Sequence, residues 1–384
     1  MTGKAAEICV HADLAEVPRD AWNALAGGAP FLRHEFLHAL EATRCVGTNA
    51  GWEPCHMTLW HDGELLAAAP LYRKFHSWGE YVFDWAWADA YERAGGRYYP
   101  KLLSAVPFTP VSGARLLGKT PEFRARLLQA VLRTAQDGGF SSFHCLFPGA
   151  EDLALLEGQG LLVRRGYQYH WRNEGYRGFA DFLARLSHNK RKKIRQERRK
   201  VLDAGCKFRR KTGRDITAAD WEFFHRCYAH TYRRHRTSPY LSLDFFLQVG
   251  AEMADNFLLV LAEIDGRPIA CALDMMDERN LYGRYWGSLE YLPGLHFETS
   301  YYQGMEFCIE RGLQVFEGGA QGEHKLARGF LPVATHSAHW LAHAGLAQAV
   351  EAFLHREGRA IEHYLDELEA PFRKDAPHAA GPAE

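Results

Sequence analysis

A glycine-rich stretch in the second half of the chain, residues 316–332 (FEGGAQGEHKLARGFLP), concentrates side chains that can do chemistry. It offers a candidate base, a candidate proton carrier and two cations that can stabilise developing negative charge. Glycines let backbone amides approach a ligand, because they lack a side chain and tolerate positive φ. The stretch matches neither a P-loop nor G-x-G-x-x-G, and an ordinary surface turn is the alternative. In the order of these roles the residues are Glu317, His324, Lys325, Arg328 and the glycines Gly318, Gly319 and Gly322.

A second concentration is positive charge. Residues 185–214 contain fourteen Lys and Arg against two acids, in a chain whose formal net charge is −1. The pattern predicts a helix over about 185–205 that ends at Gly205 and packs through Ile194 and Val201. Its cations favour contact with phosphate or RNA, and a solvated helix with ion pairs elsewhere is the alternative. The candidate phosphate contacts are Lys190, Arg191, Lys192, Lys193, Arg195, Arg198 and Arg199.

The first half has its own mixture of charged and aromatic residues, within residues 70–111. Such a mixture is typical of a wall that recognises a large polar ligand, and a packed aromatic core is the alternative. The candidate binding residues are Lys74, His76, Glu80, Asp84, Tyr98 and Tyr99.

Metal chemistry is disfavoured. His336, His339 and His343 share one face only if the segment is helical, and three ligands along one straight helix diverge. The eight cysteines form no C-x-x-C pair, which indicates reduced thiols. We expect no metal and no permanently bound cofactor.

The elements that must position these residues alternate between strand and helix, which indicates sheets covered by helices. Two apolar hairpins turn at Asp62-Gly63 and Asp265-Gly266, 203 residues apart, and the pair Tyr98-Tyr99 matches Tyr301-Tyr302 at the same offset. This common register favours a duplicated domain, and coincidence between two ordinary hairpins is the alternative. We predict an N-terminal domain over residues 1–175 and a C-terminal domain over residues 176–384 that opens with the basic helix.

Composition agrees with a folded protein, since 47% of residues are hydrophobic. No uninterrupted apolar stretch reaches the ~18 residues of a membrane span, and the N-terminus has no signal-peptide core. We therefore predict a cytoplasmic protein without stable membrane insertion. The oligomeric state stays open.

Several long blocks resemble the FemAB-like group of the GNAT acyltransferase superfamily, a group connected with peptidoglycan biosynthesis. They include GWEPCHMTLW, VPFTPVSGARLL, LSHNKRKKIRQERRKV and FEGGAQGEHKLARGFLP, in that order along the chain. The resemblance implies two tandem GNAT-like domains, each with a mixed, largely antiparallel sheet flanked by helices. It also implies an aminoacyl-tRNA donor, an amine acceptor on a precursor, and Lys325 near the reacting carbonyl.

Together these features predict an acyltransferase that forms an amide from an aminoacyl or acyl donor. Lys325 and the loop amides would stabilise the carbonyl oxygen, and Glu317 or His324 would accept the proton. Tyr301 and Arg284 would line the same cleft. A CoA-dependent N-acyltransferase and a non-catalytic RNA-binding protein of the same fold are the alternatives.

Overall fold

The computed structural model describes residues 6–320 and 322–373. Over these residues the chain forms a mixed α/β fold in which two sheets are flanked by helices, as predicted. The strands of the first half are β1 (Glu7–His11), β2 (Trp52–Pro54), β3 (His56–His61), β4 (Glu64–Ala69), β5 (Leu71–Lys74), β6 (Lys101–Ser104), β7 (Leu117–Gly118), β8 (Ser142–Leu146) and β9 (Leu162–Arg172).

The helices of the first half pack on these strands. Pro18 precedes the first helix, and Thr120 caps the fourth by accepting a hydrogen bond from the amide of Phe123. The helices are α1 (Arg19–Ala26), α2 (His34–Ala42), α3 (Trp85–Arg93), α4 (Pro121–Asp137) and α5 (Ala150–Gly158).

The second half opens with a short helix and then the basic helix predicted from the charge run. A π-helical turn, Glu298–Tyr302, joins two of its later helices. The elements are α6 (Phe179–Arg185), α7 (His188–Asp203), β10 (Lys207–Thr212), α8 (Ala218–Arg234), α9 (Leu243–Glu252), β11 (Phe257–Ile264), β12 (Arg267–Met276), β13 (Asn280–Ser288), α10 (Leu295–Phe297), α11 (Gln303–Arg311), β14 (Val315–Glu317), β15 (Leu331–Leu341) and α12 (Ala344–Arg373).

The two halves use the same strand order. β1, β3 and β4 form an antiparallel series in the small sheet, order β1-β3-β4-β7, and β10, β11 and β12 form the matching series in the large sheet. Asp62 and Asp265 have φ of 48° and 51° and each precedes a glycine of positive φ, the geometry that Asp-Gly hairpin turns favour. The predicted duplication is therefore present in the fold.

The halves exchange strands at the centre of the large sheet, whose order is β10-β11-β12-β13-β14-β9-β15-β8-β6-β5-β2. β9 from the first half pairs with β14, and β15 from the second half pairs with β8. β9 and β15 also pair with each other, with Gly166 opposite Thr335 near the middle of the pairing. His170 and His339 occupy equivalent positions at this junction, each directly before a Trp.

The predicted boundary between residues 175 and 176 falls in the loop between β9 and α6. Because β9 pairs with β14 across the junction, the two halves share one continuous sheet. The position of the domain boundary therefore stays a prediction, because the large sheet continues across it.

The three histidines do not share a helix face. His336 and His339 belong to strand β15, which pairs on both sides, and His343 follows the strand in the turn before α12. Pairing with two neighbouring strands decides the conformation, since a short segment with several apolar residues fits either period. Among the described residues no group of His, Cys, Asp or Glu could hold a metal ion.

Within residues 6–320 and 322–373, no helix combines the length and apolar character that crossing a membrane requires.

Candidate active site between the two halves

A cavity of about 750 Å³ lies where two parallel strands separate. β13 and β14 pair over three residues, ending at Tyr282 opposite Glu317, and then diverge. The second half contributes β13, the turn after β14 and the end of α8, while the first half contributes β9 and several loop residues. The lining includes Tyr81, Phe83, Pro110, Phe147, Gln168, Tyr228, Tyr232, Tyr240, Gly283, Arg284, Tyr285, Gly318, Gly319, Lys325 and His336.

Lys325 lies in a short helical turn, Glu323–Arg328, and contributes to the cavity wall. Its side chain is 4% exposed, and Nζ donates a hydrogen bond to the carbonyl oxygen of Gly319 at 3.2 Å. Burial lowers the pKa of Lys325 to about 8. The structure thus holds a buried amine at the cavity wall, and its pKa lies close enough to neutral pH for the amine to gain or lose its proton there.

The glycines explain how the loop fits. A Cβ on Gly318 would lie 2.8 Å from the Phe330 ring, and Gly319 and Gly322 have φ of +78° and +96°. The Gly318 amide donates to Tyr169 O at 2.8 Å, so this predicted ligand contact is already used to anchor the loop on β9. Residue 321, within the predicted set of loop amides, lies outside the described residues.

Glu317 ends β14, opposite Tyr282 on one side and His170 on the other. Burial raises the pKa of Glu317 to about 8, while Arg284 acts in the opposite direction. Burial also lowers the pKa of His170, to about 4. Glu317 directly precedes Gly318 of the cavity wall, although its own side chain is not among the described lining residues.

His324 and Tyr301 contact each other rather than the cavity. The Tyr301 hydroxyl and His324 Nε2 are 3.2 Å apart, and the His324 ring lies 5.4 Å from that of Phe297. Burial lowers the pKa of His324, and the neighbouring Arg328 lowers it further. Neither Tyr301 nor His324 is among the described residues that line the cavity.

Arg328 stabilises the loop through contacts with three neighbouring groups. Its guanidinium donates to the His324 carbonyl oxygen at 2.6 Å and to Glu197 of α7 at 2.5 Å, and it stacks 3.4 Å from the Phe297 ring centroid. Glu197 also accepts a hydrogen bond from the Tyr302 hydroxyl at 2.5 Å. Glu197 was missed as a site residue, although it is one of only two acids in the basic run.

Arg284 joins the halves at the cavity wall. It extends from β13 and donates to the Phe108 carbonyl oxygen at 2.8 Å, with its guanidinium 5.6 Å from the Phe31 ring. Both partners belong to the first half. Arg284 therefore lines the cavity and connects it to the first half.

The basic helix α7 packs as its apolar stripe predicts, since Ile194 and Val201 are fully buried. Arg198 is engaged with the acids Glu298 and Glu306, at 3.0 and 2.7 Å. Four of the predicted phosphate contacts are exposed, and Lys190 and Arg191 are half-buried. The exposed four are Lys192, Lys193, Arg195 and Arg199.

The charged residues of the first half form a buried network instead of a cavity wall. Lys101 Nζ donates to Asp84 at 2.5 Å and to Glu80 at 2.9 Å, and the Tyr98 hydroxyl donates to Asp84 at 2.7 Å. Burial lowers the pKa of Lys74 to about 7. The predicted binding residues Lys74, His76, Glu80, Asp84, Tyr98 and Tyr99 are absent from the described lining of the cavity.

Sequence reasoning also missed the tyrosines of the cavity. Tyr228 and Tyr232 lie one turn apart on α8, and Tyr240 and Tyr285 join them from the following loop and from β13. The spacing of four residues between the first two was the available signal. Together with Tyr81 and Lys325 they line the cavity.

Fold and cavity together define a mixed α/β protein of two similar halves with an open cleft between them. The chain belongs to the FemAB-like family, described by the terms peptidoglycan biosynthesis and recognition, whose profile matches residues 13–374. The family predicted from the sequence is thereby confirmed. No curated protein sequence matches this chain significantly.

Solved structures share the fold at low identity. FemX aligns over 90% of this chain and 100% of its own, with 13% identity and a TM-score of 0.51. The C-terminal domain of a putative lysylphosphatidylglycerol synthetase from Agrobacterium fabrum aligns over 88% and 96%, with 12% identity and a TM-score of 0.53. L-PGS from Bacillus licheniformis aligns over 89% and 97%, with 11% identity and a TM-score of 0.51.

Proposed function

We propose that the protein is a Fem-like acyltransferase that moves an aminoacyl or acyl group from an activated donor to an amine, forming an amide. The observation that carries the proposal is the position of Lys325, a buried amine at the wall of the cleft between the halves. The chain's family supports the reaction class, and its description favours an acceptor amine on a peptidoglycan precursor.

In this reaction a neutral amine attacks the donor carbonyl, and negative charge grows on the carbonyl oxygen. The bond from the carbonyl carbon to the donor's oxygen (tRNA) or sulfur (CoA) then breaks, and the leaving group departs with a proton. Lys325 stabilises that oxygen as a cation. With a pKa of about 8 it stays largely protonated at neutral pH. A buried cation acts strongly there, because water that would screen its charge is excluded.

The proton released by the attacking nitrogen needs an acceptor. We assign Glu317, whose raised pKa of about 8 makes its carboxylate a stronger base than an exposed glutamate. The other candidate, His324, is engaged with Tyr301 and has a lowered pKa. Glu317 also directly precedes the glycines of the cavity wall.

Aminoacyl-tRNA is the favoured donor, and acyl-CoA is the alternative. The exposed cations Lys192, Lys193, Arg195 and Arg199 can contact successive phosphates of an RNA backbone. The ion pair between Glu197 and Arg328 joins α7 to the turn that carries Lys325. A donor bound by α7 would therefore lie close to Lys325.

The test compares Lys325→Ala with wild type in single-turnover transfer and in donor binding. Loss of an oxyanion-stabilising cation should lower the transfer rate by about 10² to 10³ while donor affinity changes little. Lys207→Ala, at an exposed lysine of β10, is the matched control and should transfer normally. If affinity collapses while the rate at saturation stays unchanged, Lys325 is a binding residue.

The donor is tested separately, by mass spectrometry of molecules that co-purify with the protein. Charged tRNA supports the proposal, and acyl-CoA supports the CoA-dependent alternative. If neither donor supports transfer while RNA still binds, the protein is the non-catalytic RNA-binding member of the fold.

A further inference from the structure

The segment between β5 and α3 exposes an unusual number of large aromatic side chains. Residues 75–85 contain five of them, with Trp78 59% and Phe83 61% exposed. We call residues 75–85 the aromatic segment. Single exposed apolar residues are common, whereas a cluster of this size marks an interaction surface. The five are Phe75, Trp78, Tyr81, Phe83 and Trp85.

The backbone of the aromatic segment is held in place, so the exposure does not come from a loose loop. The Trp78 carbonyl oxygen accepts hydrogen bonds from Trp52 Nε1 and from Lys74 Nζ, both at 3.2 Å. The Phe83 carbonyl oxygen accepts one from Arg164 at 2.6 Å. The Trp78 and Trp85 rings pack edge to face at 4.9 Å. The fold therefore presents these rings to the outside.

Positive charge adjoins the aromatic segment. The Tyr81 side chain is hydrogen-bonded to Tyr232 near the end of α8, and both residues line the cavity. The residues that follow Tyr232 are exposed, and the sequence has no acid between Glu222 and Asp244. The exposed arginines of this stretch are Arg233, Arg234 and Arg236.

We propose that the aromatic segment and these three arginines attach the protein to an anionic lipid surface. Tryptophan and other aromatic rings settle at the boundary between headgroups and acyl chains, and nearby arginines pair with headgroup phosphates. The three arginines complement the negative charge of anionic headgroups, and the exposed rings match the boundary between headgroups and acyl chains. This attachment does not depend on the chemistry at Lys325.

Attachment through the aromatic segment would also place the cavity next to the lipid surface. Tyr81 and Phe83 of the aromatic segment belong to the cavity lining. A protein held on lipid through this segment would therefore open its cavity beside the lipid surface. An acceptor carried by a lipid would reach the cleft without leaving the membrane.

The experiment measures co-sedimentation with vesicles of phosphatidylglycerol and phosphatidylcholine, and with phosphatidylcholine alone, at low and high salt. Wild type should bind the anionic vesicles, and less at high salt. The double variant Trp78→Ser, Phe83→Ser should bind at least about tenfold more weakly than wild type. Replacing Arg233, Arg234 and Arg236 by Gln should weaken binding about fivefold per arginine.

Two control variants distinguish binding through the aromatic segment from non-specific adsorption to vesicles. Tyr291→Ser removes an aromatic side chain that is 91% exposed outside the segment, and Lys325→Ala removes the proposed catalytic cation. Both should bind vesicles as wild type does. The proposal is overturned if wild type ignores anionic vesicles at low salt, or if the double variant binds them equally. It is also overturned if light scattering shows a dimer that the double variant abolishes while vesicles are ignored, since the occupant is then a second copy.

Discussion

Each half of the molecule contains a short parallel strand pair whose strands then separate, and the two separations end differently. After β13 and β14 part, the gap remains open as the cavity. After β6 and β8 part, the chain itself fills the gap: Gly113 forms a parallel bridge with Pro148, and its amide donates to Phe147 O at 3.0 Å. One cleft of the duplicated fold is open and the other is closed.

The segment that closes the first cleft also bounds the second. It belongs to a longer connection in the first half: β8 begins 43 positions after Tyr99, whereas β14 begins 13 positions after the matching Tyr302. Its Phe108 and Pro110 carbonyl oxygens accept hydrogen bonds from Arg284 and Gln168, at 2.8 and 2.5 Å. Duplication thus produced two equivalent clefts, and one insertion closed the first while shaping a wall of the other.

The titratable groups at the two clefts differ in the same way. His144 on β8 and Glu317 on β14 are equivalent, and each faces a histidine of the exchanged strand. Burial lowers the pKa of His144 to about 3, and its Nδ1 lies 2.5 Å from that of His339. Groups in the first half contact one another inside the fold, whereas Lys325, with a pKa of about 8 like that of Glu317, lines the open cavity.

The largest expected effect tests whether the first-half network is structural. Lys101→Met should lower the free energy of unfolding by about 3–5 kcal/mol, because it leaves the buried carboxylates of Glu80 and Asp84 without their cation. Urea unfolding measures this change.

Lys119→Met, at an exposed ion pair with Glu64, is the control and should cost at most about 1 kcal/mol. If Lys101→Met unfolds at the same urea concentration as wild type, the first-half network does not stabilise the fold.

The next effect is the pH dependence of transfer. Glu317 acts as a base only when ionised, above its pKa of about 8, and Lys325 acts as a cation only below its pKa of about 8. The rate should peak near pH 8 and fall about tenfold per pH unit on each side. A profile of kcat/KM from pH 6 to 10 measures this.

Two variants identify the limbs of that profile. Glu317→Gln should remove the acid limb together with most of the activity. Lys325→Arg should keep charge at high pH and extend the alkaline limb, because arginine stays protonated. A flat wild-type profile between pH 6 and 9 would contradict both assignments.

The sequence predicted the elements with strong local signals: the Asp-Gly hairpins, the α7 packing stripe, and the glycine-rich turn after β14. It could not predict the strand exchange, because β9 and β15 lie 169 residues apart and only a repeated His-Trp pair connects them. The first-half cluster was ambiguous for a different reason. Alternating charges and aromatic rings look alike in a binding wall and around a buried ion pair, and only the three-dimensional position of Lys101 distinguishes the two.

The smallest expected effect per residue is on the salt dependence of tRNA binding by α7. This helix belongs to the second half, the half whose cleft is open. If Lys192, Lys193, Arg195 and Arg199 contact tRNA phosphates, log K should fall with log salt at a slope of roughly −3, at ~0.7 to 0.9 per contact. Replacing the first three by Gln should flatten the slope by roughly 2 to 3, and the fold should persist because Ile194 and Val201 remain. Titrations at several salt concentrations measure both slopes.

The arginine variant of the lipid surface is the matched control for this measurement. It removes the same number of exposed cations from the end of α8 and the loop that follows, so it should leave the tRNA slope unchanged while vesicle binding falls. The α7 variant should show the reverse. If wild type has no affinity for tRNA at low salt but binds acyl-CoA, and the α7 variant weakens that binding, then the open cleft takes its acyl group from CoA. The contrast between a closed and an open half would stand, with α7 holding the phosphates of a smaller donor.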